Sequence, residues 1–196
     1  MKIIQGLDYF PNYLSEEKID ILRQDINFAL INAPLFRATM PKTGRELSVK
    51  MSNIGNIGWV SDKVGGYRYQ SYHPHTKQKL PQISNNILDI WHKVTNLKIS
   101  PDCCLINHYD SKSKMGLHID NDEKDFSYPV LSISIGNSAL FRFGGLKRSD
   151  KTRSIKLNNG DVLMMSGQSR LIYHGVDNIY PSNQFDHRIN LTLRKI

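Results

Sequence analysis

The sequence predicts an α+β fold in which a double-stranded β-helix, or jelly roll, is supported by N-terminal helices. Three observations predict it. From Cys104 onward, short stretches of alternating apolar and polar residues are separated by turn residues, the pattern of a sandwich or barrel and not of a parallel sheet. Before that point, two stretches repeat apolar residues at helical spacing. The 196 residues suit one domain with a sizeable core, and no internal repeat, low-complexity tract or linker divides them.

In chain order, residues 15–33 predict the first helix. Ser15 is placed to cap it, Glu16 and Glu17 favour its first turn, and Ile19, Leu22, Ile26 and Leu30 form its buried stripe. Residues 42–78, rich in Gly, Lys, Arg and Tyr, read as short strands and loops. A second helix is predicted directly after Pro81, burying Ile83, Ile87, Trp91 and Val94. Strands are then predicted at 105–109, 115–120, 130–135, 139–143, 154–157, 161–166, 171–175 and 188–194. Gly136-Asn137, Gly144-Gly145 and Asn158-Asn159-Gly160 punctuate them as turns.

Composition narrows the function. An apolar share of 39% and a charged share of 22% are those of a globular chain, not a disordered or fibrous one. No apolar run approaches a membrane span, and the N-terminus turns acidic without the apolar stretch of a signal peptide. A cytoplasmic protein with no membrane partner is expected. The only cysteines, Cys103 and Cys104, are adjacent, a spacing that neither closes an unstrained disulfide nor supplies a metal site. A formal charge of +8 and a pI near 9.5 favour a polyanionic partner, nucleic acid first.

Residues two apart in a strand share a face, so the predicted strands can be read for what they present. In 115–120, Met115, Leu117 and Ile119 fall on one side, and Gly116, His118 and Asp120 on the other. In the stretch ending at His174, Leu171 and Tyr173 oppose Arg170, Ile172 and His174. In 188–194, Ile189, Leu191 and Leu193 oppose Arg188, Asn190, Thr192 and Arg194, while Asn107 and Tyr109 share a face of their own strand. A barrel lined by the polar faces has a cationic interior. Two histidines and one carboxylate are the facial triad of non-haem iron oxygenases, so His118, Asp120 and His174 are the candidate Fe(II) ligands and catalytic centre. The triad leaves three coordination positions, two for a 2-oxo acid and one for O2. The distal carboxylate of that acid needs a fixed cation, which Arg188 can supply through paired hydrogen bonds, with Asn107 and Tyr109 placed to donate to the remaining oxygens.

Several segments carry a closer likeness. They are Cys104-Leu-Ile-Asn107-His-Tyr109, Leu117-His118-Ile-Asp120-Asn-Asp122-Glu123, Phe143-Gly-Gly-Leu-Lys-Arg148, Asn159-Gly160-Asp161-Val162, Ser169-Arg-Leu-Ile-Tyr-His174-Gly175 and Arg188-Ile-Asn190-Leu-Thr192-Leu-Arg194. Together they resemble the AlkB family of Fe(II)- and 2-oxoglutarate-dependent nucleic-acid dealkylases. The resemblance implies iron at His118, Asp120 and His174, and 2-oxoglutarate held by Arg188 with Asn107, Tyr109, Asn190 and Arg194. It places Asp122 beside the alkylated base as a further catalytic residue and Arg148 on the substrate side. Gly58-Trp59 and Gly66-Tyr67-Arg68-Tyr69 resemble the family's nucleotide-recognition lid, with Trp59 stacking on the base and Tyr67 and Tyr69 contacting base or backbone. The stretch between Trp59 and Tyr67 is longer than the family pattern, and Met164 or Met165 stands where that pattern has a tryptophan. One domain results, with helices and lid over about residues 1–100 and the jelly-roll core over about 101–196.

The implied function is oxidative demethylation of bases such as 1-methyladenine and 3-methylcytosine, releasing formaldehyde and succinate. Such methylation leaves the base cationic, and Asp122 can attract that charge. Lys42, Arg45, Lys50, Lys63 and Arg68 are candidates for phosphate contacts. The expected partner is alkylated DNA, single- or double-stranded, with RNA as a second class, and the chain is expected to act as a monomer. Two other readings stand beside it: the same oxygenase acting on a modified RNA base, a protein side chain or a small molecule, and a nucleic-acid-binding module without catalysis.

Overall fold

The computed structural model describes residues 1–196. In chain order its elements are β1 (Lys2–Ile4), β2 (Leu7–Phe10), α1 (Glu16–Asn32), β3 (Lys50–Gly55), β4 (Gly58–Asp62), β5 (Gly66–Gln70) and α2 (Asn85–Thr95). There follow β6 (Cys103–Tyr109), β7 (Met115–His118), β8 (Val130–Gly136), β9 (Ser138–Phe143), β10 (Arg153–Leu157), β11 (Val162–Met165), a short 3-10 turn (Gly167–Ser169), β12 (His174–Tyr180) and β13 (Arg188–Arg194). Seven strands form a large antiparallel sheet in the order β1-β2-β11-β8-β13-β6-β3, and four form a smaller one, β10-β9-β12-β7. These are the two sheets of a jelly roll. β4 and β5 pair only with each other, as a hairpin outside both.

The helices begin where a side chain can satisfy their free N–H groups. The Ser15 hydroxyl accepts from the Lys18 N–H at 3.2 Å, and the Ser84 hydroxyl accepts from the Ile87 N–H at 3.4 Å. The second helix therefore starts at Asn85 and not directly after Pro81, because the Pro81 carbonyl is used by the Gly55 N–H (2.7 Å) to hold the end of β3. Ile19, Leu22 and Ile26 of α1 and Ile87 and Trp91 of α2 pack on one face of the large sheet, against Ile106, Leu131, Ile133, Leu191 and Leu193. A second core lies between the sheets, where Leu105, Tyr109, Leu163 and Met165 meet Phe141, Phe143 and Val176.

All seven residues of β13 are buried, since the helices cover one face of the strand and the small sheet covers the other. Ile189, Leu191 and Leu193 belong to the helix-side core, while Arg188, Asn190, Thr192 and Arg194 line the cavity between the sheets. The alternation read from the sequence thus holds here, as it does for Asn107 and Tyr109. Burial of each leucine contributes about 1.5–3 kcal/mol, which offsets part of the cost of placing two guanidinium groups inside.

Two predicted strands are corrected. The strand expected at 115–120 ends at His118, so Asp120 lies beyond it. The strand expected at 171–175 begins only at His174 and runs on to Tyr180. Before it, the Arg170 N–H closes onto the Gly167 carbonyl (3.1 Å), and the Tyr173 N–H bonds the Gly145 carbonyl (2.9 Å). Arg170 and His174 consequently do not share a strand face. β1 and β2, which the sequence reading did not anticipate, are three and four residues long and turn at Gly6, whose φ of +81° suits glycine.

Candidate active site

His118 and His174 stand directly opposite each other on β7 and β12, with ring centroids 4.5 Å apart. The ladder slips between this pair and the next, Met115 opposite Val176, so β7 takes an extra residue there. Such a bulge rotates part of the strand. It brings Met115 into the same cavity as His118, which corrects the strict alternation expected for that stretch. Gly175 permits the crowding: a Cβ at that position would lie 2.6 Å from the Met115 carbonyl oxygen and 3.0 Å from that of Gly116.

Asp120 completes the group, and the ligand atoms of His118, Asp120 and His174 all lie within 4.8 Å of one another. Its Oδ1 is 3.7 Å from His118 Nε2, and its Oδ2 is 3.7 Å from His174 Nε2. Each imidazole turns Nδ1 to a backbone carbonyl, His118 to Gly116 at 2.9 Å and His174 to Ile172 at 3.0 Å. A carbonyl only accepts, so Nδ1 carries the proton and the Nε2 lone pairs face the carboxylate. Burial, with His118 alongside, pushes His174 down to about 4, which keeps it neutral. Burial alone would raise the Asp120 carboxyl, but Arg194 above all, then His174, His118 and Arg170, outweigh it and hold the group well below the usual carboxylate range. Two imidazole Nε2 atoms beside an ionised carboxylate are the donor set that Fe(II) takes with open positions to spare.

The wall beyond the triad is built by β13 and β6. Arg188 is fully buried and anchored at both terminal nitrogens, Nη1 donating to the Asn137 carbonyl (3.1 Å) and Nη2 to the Ser134 hydroxyl (2.7 Å). Its Nε has no protein partner. Burial lowers the Arg188 guanidinium to about 10 and raises the Tyr109 hydroxyl to about 12, so at neutral pH the first is a cation and the second a hydrogen-bond donor. Asn190 donates to the Ser132 hydroxyl (2.7 Å) and accepts from Thr192 (2.9 Å), which in turn meets Asn107 at 3.4 Å. A dicarboxylate fits this wall, since Arg188 offers a fixed cation whose Nε–H and second hydrogens on Nη1 and Nη2 are not taken by the protein. Arg194 behaves differently. Its Nη2 is 2.8 Å from Asp120 Oδ1, so it braces the triad.

The β4–β5 hairpin packs against the loop that follows Asp120, with Trp59 opposite Tyr69 and Ser61 opposite Tyr67. This settles how the two tyrosines are placed despite the longer connection. Trp59 stacks on Tyr67 (5.7 Å, 23° between planes), and its Nε1 donates to Asp122 Oδ2 at 2.7 Å. Tyr69 turns inward instead, donating to Glu123 Oε1 at 2.8 Å. Arg148 lies across the loop after β9, donating to the Leu117 carbonyl at 2.8 Å. Lys42, Arg45, Lys50 and Lys63 are exposed, but Arg68 is tied within the hairpin by Asp62 at 2.7 Å. Of the two methionines, Met165 lines the cavity and Met164 packs toward the helices.

Glu123 and Arg170 were given no role by the sequence reading. Arg170 donates to the Asp120 carbonyl (2.7 Å) and the Tyr128 carbonyl (3.2 Å), and pairs with Glu123 at 3.0 Å. Glu123 closes the acidic run 120–123, a signal the sequence did hold; nothing local marked Arg170.

The family model described as 2OG-Fe(II) oxygenase superfamily matches residues 6–194. The alpha-ketoglutarate-dependent dioxygenase AlkB homolog of Caulobacter vibrioides (strain NA1000 / CB15N) is 40% identical over 199 residues, covering 100% of this chain and 90% of that protein. The chain belongs to the AlkB family. The alpha-ketoglutarate-dependent dioxygenase AlkB of Escherichia coli (strain K12) is 36% identical over 181 residues, 89% of this chain and 83% of the relative. The solved structure of OsALKBH1 superimposes with a TM-score of 0.85 at 27% identity, over 100% of this chain and 99% of the other. As an AlkB-family protein the chain is an Fe(II)- and 2-oxoglutarate-dependent dioxygenase that consumes O2.

Proposed function

We propose that this dioxygenase removes methyl groups from alkylated nucleobases such as 1-methyladenine and 3-methylcytosine, in DNA and in RNA. The observation that carries the reading is the pairing of Trp59 with Asp122 at 2.7 Å, two residues beyond Asp120, which itself lines the cavity. An indole and a carboxylate in contact offer a stacking surface and a negative charge to one incoming group. A base methylated on its pairing edge is flat and cationic, and matches both.

His118, Asp120 and His174 are proposed to hold the iron, and Arg188 to hold the distal carboxylate of 2-oxoglutarate with help from Asn107, Tyr109 and Asn190. Arg194 is proposed to serve that site through Asp120. Iron with 2-oxoglutarate and O2 would supply the oxidation that turns an N-methyl group into hydroxymethyl, one oxygen atom going to the methyl carbon and the other to succinate as carbon dioxide is lost; the hydroxymethyl group then leaves as formaldehyde. The protein's own part is placement. Trp59 and Tyr67 stack the extruded base, Asp122 draws its charge toward the metal ligands, and Arg148 with the exposed lysines steadies the backbone. A base already unpaired by damage costs less to extrude, which adds to the selection. Action as a monomer is part of the proposal, as is a cytoplasmic setting, which the buried, unbridged Cys103 and Cys104 suit.

The test is incubation of the iron-loaded protein with 2-oxoglutarate and 1-methyladenine oligonucleotides, as single-stranded DNA, duplex DNA and RNA, beside methylated peptides. Formaldehyde and succinate in equal amounts from a nucleic acid support the proposal. Succinate formed only with peptide, or no formaldehyde from any oligonucleotide, defeats it.

A further inference from the structure

The Glu123 side chain is 1% exposed and lies outside both the triad and the co-substrate wall. A carboxylate so deeply buried is destabilising unless partners surround it, and here they come from three separate parts of the chain. Oε1 accepts from the Tyr69 hydroxyl of β5 at 2.8 Å and lies 3.3 Å from Arg194 Nε of β13, while Oε2 is 3.0 Å from Arg170 Nη2, after the 3-10 turn. Both arginines continue to the same metal ligand. Arg194 reaches Asp120 Oδ1 at 2.8 Å, and Arg170 reaches the Asp120 backbone carbonyl at 2.7 Å.

Neutralising Arg170 and Arg194 is a sufficient reason for an acid at this position, but it does not require Tyr69. The tyrosine adds a mechanical connection. It sits opposite Trp59 in the hairpin, and Trp59 is bonded to Asp122, so the cross-strand pair grips two consecutive acids. Lifting the hairpin breaks both bonds and the longer one that Arg194 Nη1 donates to the Tyr69 hydroxyl (3.5 Å), and leaves Glu123 Oε1 with Arg194 alone.

We propose that Glu123 is a positioning residue: it couples docking of the β4–β5 hairpin to the alignment of Arg194, and through Arg194 to Asp120, so that 2-oxoglutarate is held more tightly when the hairpin is down. This rests on the reading of the hairpin as the substrate lid and of β13 as the co-substrate wall.

The experiment uses the full chain loaded with Mn(II), which accepts the same ligands as iron, under anaerobic conditions, with 2-oxoglutarate affinity measured by calorimetry. Tyr69→Phe and Glu123→Gln are each expected to weaken binding about fivefold, the size of an ordinary hydrogen bond's net contribution, because only part of the lost bond is felt at the co-substrate. The double variant is expected to bind no more weakly than Glu123→Gln, because both changes cut one link. A second readout needs no metal. Trp91 is fully buried, so acrylamide quenching reports Trp59, and both single variants are expected to raise it. Additive effects in the double variant overturn the proposal, as does unchanged 2-oxoglutarate affinity in folded Tyr69→Phe. That variant decides the matter even if Glu123→Gln fails to fold. Neither measurement involves nucleic acid, so a failure of demethylation and a failure of the coupling remain separate results.

Discussion

Arg188 illustrates how a single residue can be read from chemistry before its surroundings are known. On the last strand, on the polar face, it had to be the fixed cation of a polar interior, and it is: fully buried, held by Ser134 and Asn137, with Nε unpartnered. Arg188→Ala is expected to raise the KM for 2-oxoglutarate on the order of 100-fold, the loss of a buried charge-assisted pair. Initial-rate kinetics check it, with far-UV circular dichroism to show that the sheet persists. Asp122→Asn is expected to lower kcat/KM for a cationic 1-methyladenine substrate about tenfold while sparing a neutral 1-methylguanine one, since only the attraction of unlike charges is lost. Equal losses on both substrates would remove Asp122 from that role. Glu123 and Arg170 escaped prediction for a physical reason: each acts through partners more than 40 residues away in sequence, and such partners leave no local pattern.

At the scale of elements, apolar spacing located both helices and Ser15 marked the start of the first, because a cap acts within one turn of itself, whereas the start of the second, at the Ser84 cap, was missed. Strand ends were less legible. β12 starts late because a 3-10 turn and the loop after β9 claim the backbone groups of residues 170–173, and β7 contains a bulge that alternation cannot show. That bulge carries a prediction. Gly175→Ala sets a methyl group 2.6 Å from the Met115 carbonyl, so β7 and β12 must part where they hold His118 and His174. The variant is expected to lose about 2 kcal/mol of stability in urea titration. Its affinity for Mn(II), by calorimetry, is expected to fall at least tenfold, because misplaced ligands bind metals poorly. Full metal affinity in a destabilised protein would show that the glycine serves packing alone.

For the whole molecule, the histidines set an acid limit. His174 is pushed down to about 4 from an ordinary 6.5, and burial also lowers His73, His108 and His187. In the unfolded chain these rings take up protons near their ordinary value, whereas in the folded protein they resist until lower pH. The unfolded state therefore binds more protons in that window, and stability falls as pH drops from 6.5 toward 4. Thermal scans of metal-free protein are expected to show Tm declining between pH 7 and pH 5. A flat Tm over that range contradicts the burial of neutral imidazoles. The jelly roll itself was legible from alternation and turns, but β1 and β2, which complete one edge of the large sheet, were not. Both are very short, and β2 pairs with β11 across more than 150 residues of chain.

The place of β13 has a consequence for biosynthesis. It follows every other strand in the chain, yet it lies in the middle of the large sheet, between β8 and β6. During translation those two strands wait with open edges, the state in which sheets are most prone to pair wrongly. The same seven residues carry Arg188 and Arg194. A chain cut short before them therefore lacks both an interior strand of its large sheet and the two buried guanidinium groups of the cavity, so an interrupted product cannot close the polar wall behind His118, Asp120 and His174.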